Sequence, residues 1–264
     1  MTPVLPQLHE YEMGSRVVAF STTRHGGVGE GQYASFNVNH YCGDNPESVA
    51  LNRRALCLLL QIDESHLVYP HQTHGTGLLI INNEFFLLPE DARRERLEAI
   101  DGVMTSVPGV CVGVSTADCI PLLLYDEVHH AVAAVHAGWR GTLARIAVKA
   151  VEAMRQTYGT CPAQLHAVIG PGISLKNFEV GDELFSAFAE AGFDMEDIAR
   201  REYKWHIDLW ECNRRQLLEQ GVEAANIHVA GICTYDSNAD FFSARRQGVQ
   251  SGRILSAIML RKRS

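Results

Sequence analysis

The sequence contains no long apolar run. Its longest apolar stretches, such as Leu56 to Leu60 and Val110 to Val114, fall far short of the roughly 20 residues that cross a bilayer, so no membrane partner is expected. The start, Met1 to Gly14, carries Pro3, Pro6, Glu10 and Glu12. It lacks the basic and apolar regions of a secretory leader, and the expected location is the cytoplasm. Positive charge is also scarce. With 23 Lys and Arg against 31 Asp and Glu, the formal net charge is -8. A nucleic-acid partner is disfavoured, because phosphate backbones require surplus cations; a local basic pocket for a small anion is not excluded. Cysteine pairing patterns are missing as well. The seven cysteines (Cys42, Cys57, Cys111, Cys119, Cys161, Cys212 and Cys233) are odd in number and scattered, without CxxC spacing. That argues against a disulfide framework and a four-thiolate zinc finger. Neither a GxGxxG fingerprint nor a Walker A loop is present. No repeat, low-complexity tract or linker marks a boundary, so one domain over 1–264 is expected.

What is present suits a packed core: 46% apolar and 20% charged residues are ordinary values for a globular chain. Strands are expected at Val17–Phe20, Leu78–Ile81, Cys111–Val114, Ala167–Ile169, Ile227–Ala230 and Ile254–Leu260. Pro121–Tyr125 and Ala131–Val135 read as a hairpin around Asp126 to His130. Apolar residues at helical spacing predict helices over Pro46–Ile62, with Asp44 or Asn45 as cap, and over Thr142–Tyr158, Gly181–Ala191 and Leu209–Gln220. Clustered strands with helices between some of them favour an α+β fold of mixed layers over a strictly parallel sheet.

Three short segments carry the chemistry. They are His71-Gln72-Thr73-His74-Gly75, Thr116-Ala117-Asp118-Cys119 and Val135-His136-Ala137-Gly138-Trp139-Arg140-Gly141. A buried, inert thiol is the commoner role for a lone cysteine. If the hairpin forms, however, Cys119 and His136 lie side by side at its open end. A histidine from the first segment would complete one thiolate and two imidazoles, a set that suits zinc with a fourth position open. Spacing alone does not choose between His71 and His74. Candidate anion contacts are Arg24 in a Gly-rich turn, Arg140 at a helix start, and Arg245 and Arg246 beside Phe241 and Phe242.

The chain resembles the bacterial laccase-domain proteins, also called polyphenol oxidase-like proteins, purine nucleoside phosphorylases or peptidoglycan editing factors. The resemblance runs from about Thr22 to Leu260 through ordered motifs: Thr23-Arg24-His25-Gly26-Gly27-Val28, Gln72-Thr73-His74-Gly75, Asp101-Gly102-Val103-Met104-Thr105, Thr116-Ala117-Asp118-Cys119, His136-Ala137-Gly138-Trp139-Arg140-Gly141, Gly170-Pro171-Gly172-Ile173, Cys233-Thr234, and Phe242-Ser243-Ala244-Arg245-Arg246 followed by Gly252-Arg253. Thr73, where the family commonly has Val, and Ala244, where an aromatic is frequent, depart from the pattern without touching the ligands. The resemblance implies a metal on His74, Cys119 and His136, which decides against His71. It implies a single mixed α/β domain with packed β-sheets flanked by helices, similar to cysteine-hydrolase toxins.

The implied activity is that of a zinc-dependent purine nucleoside enzyme. It would phosphorolyse adenosine, inosine, guanosine and methylthioadenosine, and deaminate adenosine. Cys119, His136 and Asp118 would be the catalytic candidates, with Asp118 orienting a ligand or moving a proton. Gln72, Arg24, Arg140, Arg245 and Arg246 would contact substrate or phosphate. Copper-dependent phenol oxidation is the first alternative, since copper competes at the same three ligands. A four-copper cluster is disfavoured because none of the twelve histidines are two residues apart. A cysteine or zinc hydrolase editing peptidoglycan precursors is the second alternative, and a non-catalytic metal-binding partner protein the third. The oligomeric state is left open.

Overall fold

The computed structural model describes residues 4–262; the ends of the expected 1–264 span lie outside them. Two large sheets stack face to face. One runs in the spatial order Leu8–Tyr11, Val17–Thr22, Ile254–Leu260, Cys111–Thr116, Leu67–Val68. The other runs Ile227–Val229, Leu165–Ile169, Ile120–Asp126, Ala131–Ala137, Gly102–Thr105, Leu78–Ile80. Both are antiparallel through the centre and have parallel pairs at their edges.

Alternation along the strands builds the layers. Val112, Val114, Ile258 and Leu260 of the first sheet meet Leu123, Tyr125, Val132 and Ala134 of the second. The opposite face of the second sheet presents Leu122, Leu124, Ala133 and Val135 to helix Ile146–Tyr158 (Ala147, Ala150, Val151, Met154) and helix Leu209–Glu219. The outer face of the first sheet presents Phe20, Leu255, Ala257 and Met259 to helix Pro46–Leu60. The result is helix, sheet, sheet, helix. Central strands buried on both faces explain the near-continuous apolar runs in the sequence. Each fully buried Val, Leu or Ile contributes roughly 1.5–3 kcal/mol.

Asn45 caps the Pro46–Leu60 helix, its Oδ1 accepting from the amides of Glu47 and Ser48. The expected Thr142–Tyr158 helix is instead two helices, Trp139–Leu143 and Ile146–Tyr158. Arg145 breaks them with a left-handed φ of 60°. Its guanidinium donates to Glu219 at 2.7 Å and lies over Phe193, contacts that hold this bend between the two helices. The strands Leu8–Tyr11, Leu67–Val68 and Gly102–Thr105, and a small sheet of Glu179–Val180, Trp205–Ile207 and Ala199–Arg201, add to the expected set. Among the described residues no helix is long and apolar enough to cross a membrane.

Candidate metal centre

The site forms where the chain passes from one large sheet to the other. Strand Cys111–Thr116 ends in the first sheet, and Ile120–Asp126 begins in the second. Asp118 turns the corner with φ 93°. Its carboxylate accepts from Thr234 Oγ1 at 2.7 Å and from the Arg245 amide at 2.6 Å. Cys119 follows, one residue outside the ladder.

The hairpin forms as expected, with Ile120 opposite Ala137 and Pro121 opposite His136. Asp126 closes its turn by accepting from the amides of Val128 and His129. Cys119 and His136 are therefore neighbours because of backbone register.

His74 arrives on a loop rather than a strand, and Asp101 holds it there. This carboxylate is fully buried. It accepts from three successive amides: Thr73 at 3.3 Å, His74 at 2.9 Å and Gly75 at 2.7 Å. These bonds support His74 in a left-handed conformation, φ 63°, which is uncommon for a side chain with a Cβ. The same Asp101 accepts from His136 Nδ1 at 2.8 Å, leaving Nε2 for the site. Gln72 pins the loop to the first sheet, bonding both the amide and the carbonyl of Ser115.

One ligand-type atom each from His74, Cys119 and His136 fall within 4.8 Å of one another. Gly138 sits against all three. A Cβ there would lie 3.0 Å from Cys119 Sγ, 3.0 Å from His74 Cδ2 and 3.5 Å from His136 Cε1. Electrostatics prepares the thiol. Burial opposes ionisation of Cys119, but His136 and His74 outweigh it and bring the thiol down to about 6. Burial likewise opposes charge on His136, but Cys119 and Asp101 raise it to about 9. Asp101 is held below the usual carboxylate range, its burial outweighed by His136 and the loop amides.

The cluster opens on a cleft of ≈ 260 Å³ whose walls include Tyr41, His71, Gln72, Ser115, Thr116 and Arg253. The hydroxyls of Ser115 and Thr116 are buried without a partner among the described residues. His71 is in the wall but outside the cluster. Its Nδ1 pairs with Glu98 at 2.7 Å and its ring stacks on Tyr41.

The structure does not gather the expected anion contacts around this cleft. Arg24 donates to the carbonyls of Ala34 and Asn238, each at 2.8 Å. Arg140 lies over Trp139. Arg245 lies over Phe178 in a neighbouring groove with Trp139, and Arg246 donates to the Tyr235 carbonyl at 3.0 Å. Sequence reasoning missed Asp101 and Arg253 as site residues. Both stood in recognised motifs, but only the sheet pairing brings Asp101 beside His136.

A layered mixed α/β fold with a His–Cys–His cluster at a sheet-to-sheet crossover defines a class, and comparison with known proteins gives the family. The chain belongs to the multi-copper polyphenol oxidoreductase laccase family, whose sequence profile matches residues 18–261. It is 47% identical over 251 residues to a purine nucleoside phosphorylase of Bacteroides thetaiotaomicron, covering 94% of this chain and 93% of the relative. It is 41% identical over 245 residues to the adenosine deaminase RL5 of an unknown prokaryotic organism, covering 92% and 93%. Among solved structures, the Bacillus licheniformis protein YfiH superposes with a TM-score of 0.90 at 30% identity, covering 97% of both chains.

Proposed function

We propose that this chain is a zinc-dependent purine nucleoside enzyme. Acting as one domain in the cytoplasm, it phosphorolyses adenosine, inosine, guanosine and methylthioadenosine, and deaminates adenosine. The observation that carries the reading is the His74–Cys119–His136 cluster facing a cleft, in a chain whose relatives are named for these two reactions. The donor set fits the metal: two imidazoles and an acidified thiol suit a borderline-soft ion that prefers tetrahedral N and S ligands.

When bound by His74, Cys119 and His136, zinc would supply Lewis-acid activation. The protein does the rest. Asp101 fixes the His136 ring by accepting a hydrogen bond from its Nδ1–H, which keeps Nε2 directed at the site. Cys119 enters as a thiolate because two imidazoles stabilise its charge. Asp118, bound to Thr234 and the Arg245 amide, keeps the crossover shaped so that Cys119 projects.

The test is adenosine turnover in phosphate buffer by chromatography, with metal analysis, for wild type and Cys119→Ala. About one zinc per wild-type chain with adenine or inosine formed, and a loss of at least about 100-fold in the variant together with its metal, is the expected result. Zinc present with adenosine untouched would remove the substrate assignment.

A second reading has one observation in its favour. Cys119, His136 and Asp101 form a thiol–imidazole–carboxylate chain, the arrangement of a cysteine hydrolase. Activity that survives chelation but is lost on thiol alkylation would select it.

A further inference from the structure

A larger cavity lies beyond the wall of the cleft. It measures ≈ 570 Å³ and is lined by residues of helix Pro46–Leu60, helix Glu90–Arg96 and the short strand Leu67–Val68. Three arginines line it in a chain whose net charge is -8. Arg53 lies over the Tyr69 ring and bonds its hydroxyl. Arg94 pairs with Glu90 at 3.3 Å on the surface. Arg93 is the informative one: its Nε is buried and has no hydrogen-bond partner among the described residues. Of the two acidic residues in the lining, Glu64 pairs with Arg54 at 3.2 Å and Glu90 with Arg94. Arg53 and Arg93 are thus left without a carboxylate among the described residues.

A buried guanidinium nitrogen without an acceptor carries a desolvation cost, and no carboxylate among the described residues neutralises the Arg93 charge. The three arginines come from two helices that line one cavity, and a guanidinium's forked donors suit the oxygens of a tetrahedral anion. The cavity is within the usual size range of a small-molecule site, and Tyr41 and Val49 give it an aromatic and apolar wall.

We propose that the cavity bounded by Arg53, Arg93 and Arg94 binds a phosphate dianion, either inorganic phosphate or the phosphate end of a small organic monoester. Tyr41 lines both this cavity and the cleft of the His–Cys–His cluster, so the two share a wall residue.

The test is calorimetric titration of wild type and the Arg93→Gln/Arg94→Gln double variant with inorganic phosphate and, separately, ribose 5-phosphate at low ionic strength. Neither arginine belongs to the proposed catalytic cluster, and Arg93 Nε gives up no native hydrogen bond, so the fold is expected to persist; thermal midpoints check this. The expected result is saturable binding to wild type that weakens at least about tenfold in the variant. Comparable affinity for the two ligands would make free phosphate the recognised species, and at least tenfold tighter ribose 5-phosphate binding would make it the monoester. No binding of either ligand to wild type, or equal binding to the folded double variant, overturns the proposal. The measurement involves no turnover, so its failure is separate from failure of the nucleoside reading.

Discussion

The two halves of the His–Cys–His cluster are built in different ways. Cys119 and His136 stand at the open end of a hairpin whose pairing runs unbroken from Ile120–Ala137 to Asp126–Ala131. Both strands are buried along their whole length, so a one-residue register slip would force each side chain into the opposite packed layer. His74 has no such ladder. It is exposed, in a left-handed backbone conformation, on a loop that three amide bonds to Asp101 and a Gln72 clamp hold in place. The core positions one half of the site, while a single buried carboxylate positions the other and also touches the first half through His136. If that contrast is right, the loop half should be the easier to disable.

Asp101→Asn is the sharpest way to break it, and carries the largest expected effect among changes that leave the three ligands in place. The amide keeps an acceptor but loses the charge, and its NH₂ group faces backbone donors. Metal affinity should fall about 10- to 100-fold, the range seen for outer-shell partners of metal-bound histidine. Competition with a chromophoric chelator measures it. Affinity unchanged within about twofold would show that the loop is held by Gln72 and packing alone.

The charge state of the hairpin half can be tested in the chelated protein. The Cys119 value lies below that of a free thiol, so its stabilising contribution is present at high pH and is lost as pH falls through about 6. The His136 value lies above that of a free imidazole, so its contribution is present at low pH and is lost as pH rises through about 9. The pair is fully charged between those limits. The difference in thermal midpoint between metal-free wild type and Cys119→Ala should therefore be greatest in that window and shrink on both sides. A difference that rises steadily past pH 9 would contradict the pairing.

These experiments bear on what could be read from the residues. The hairpin was legible because two apolar runs flank a polar turn, and the juxtaposition of Cys119 with His136 followed from it. The short strands Leu8–Tyr11, Leu67–Val68 and Glu179–Val180 were not legible, since two to four residues cannot display a period. Asp101 precedes His136 by 35 residues, and nothing local shows that its strand pairs with that of His136. The arginines are ambiguous in the sequence for a related reason. A guanidinium beside glycines or aromatics reads the same whether it awaits an anion or, like Arg24 and Arg246, serves backbone carbonyls.

Gly138→Ala tests how closely the two halves meet. The added Cβ would press on Cys119 from the hairpin and His74 from the loop, both at 3.0 Å. The φ of Gly138 is -66°, open to any residue, so the backbone should accept the change and only the ligand spacing should suffer. An affinity loss on the order of tenfold, with an unchanged thermal midpoint in the chelated protein, is the expected result. A loss of fold stability instead would place the strain in the helix start.

The smallest effect should come from His71→Asn, and its smallness is the point. His71 and His74 share one loop and one chemistry, and spacing alone cannot rank them as ligands. The structure separates them by what each side chain touches: His71 is paired with Glu98 and stacked on Tyr41, whereas His74 stands edge-on to His136 with ring centroids 4.8 Å apart. The pair with Glu98 is partly exposed, and such pairs contribute about 0–1 kcal/mol. Removing it should leave the zinc content and affinity of the protein within about twofold of wild type, while His74→Ala removes the metal. If His71→Asn also emptied the site, both loop histidines would be required to hold the metal, and the assignment of a single loop-borne ligand fixed by Asp101 would have to be abandoned.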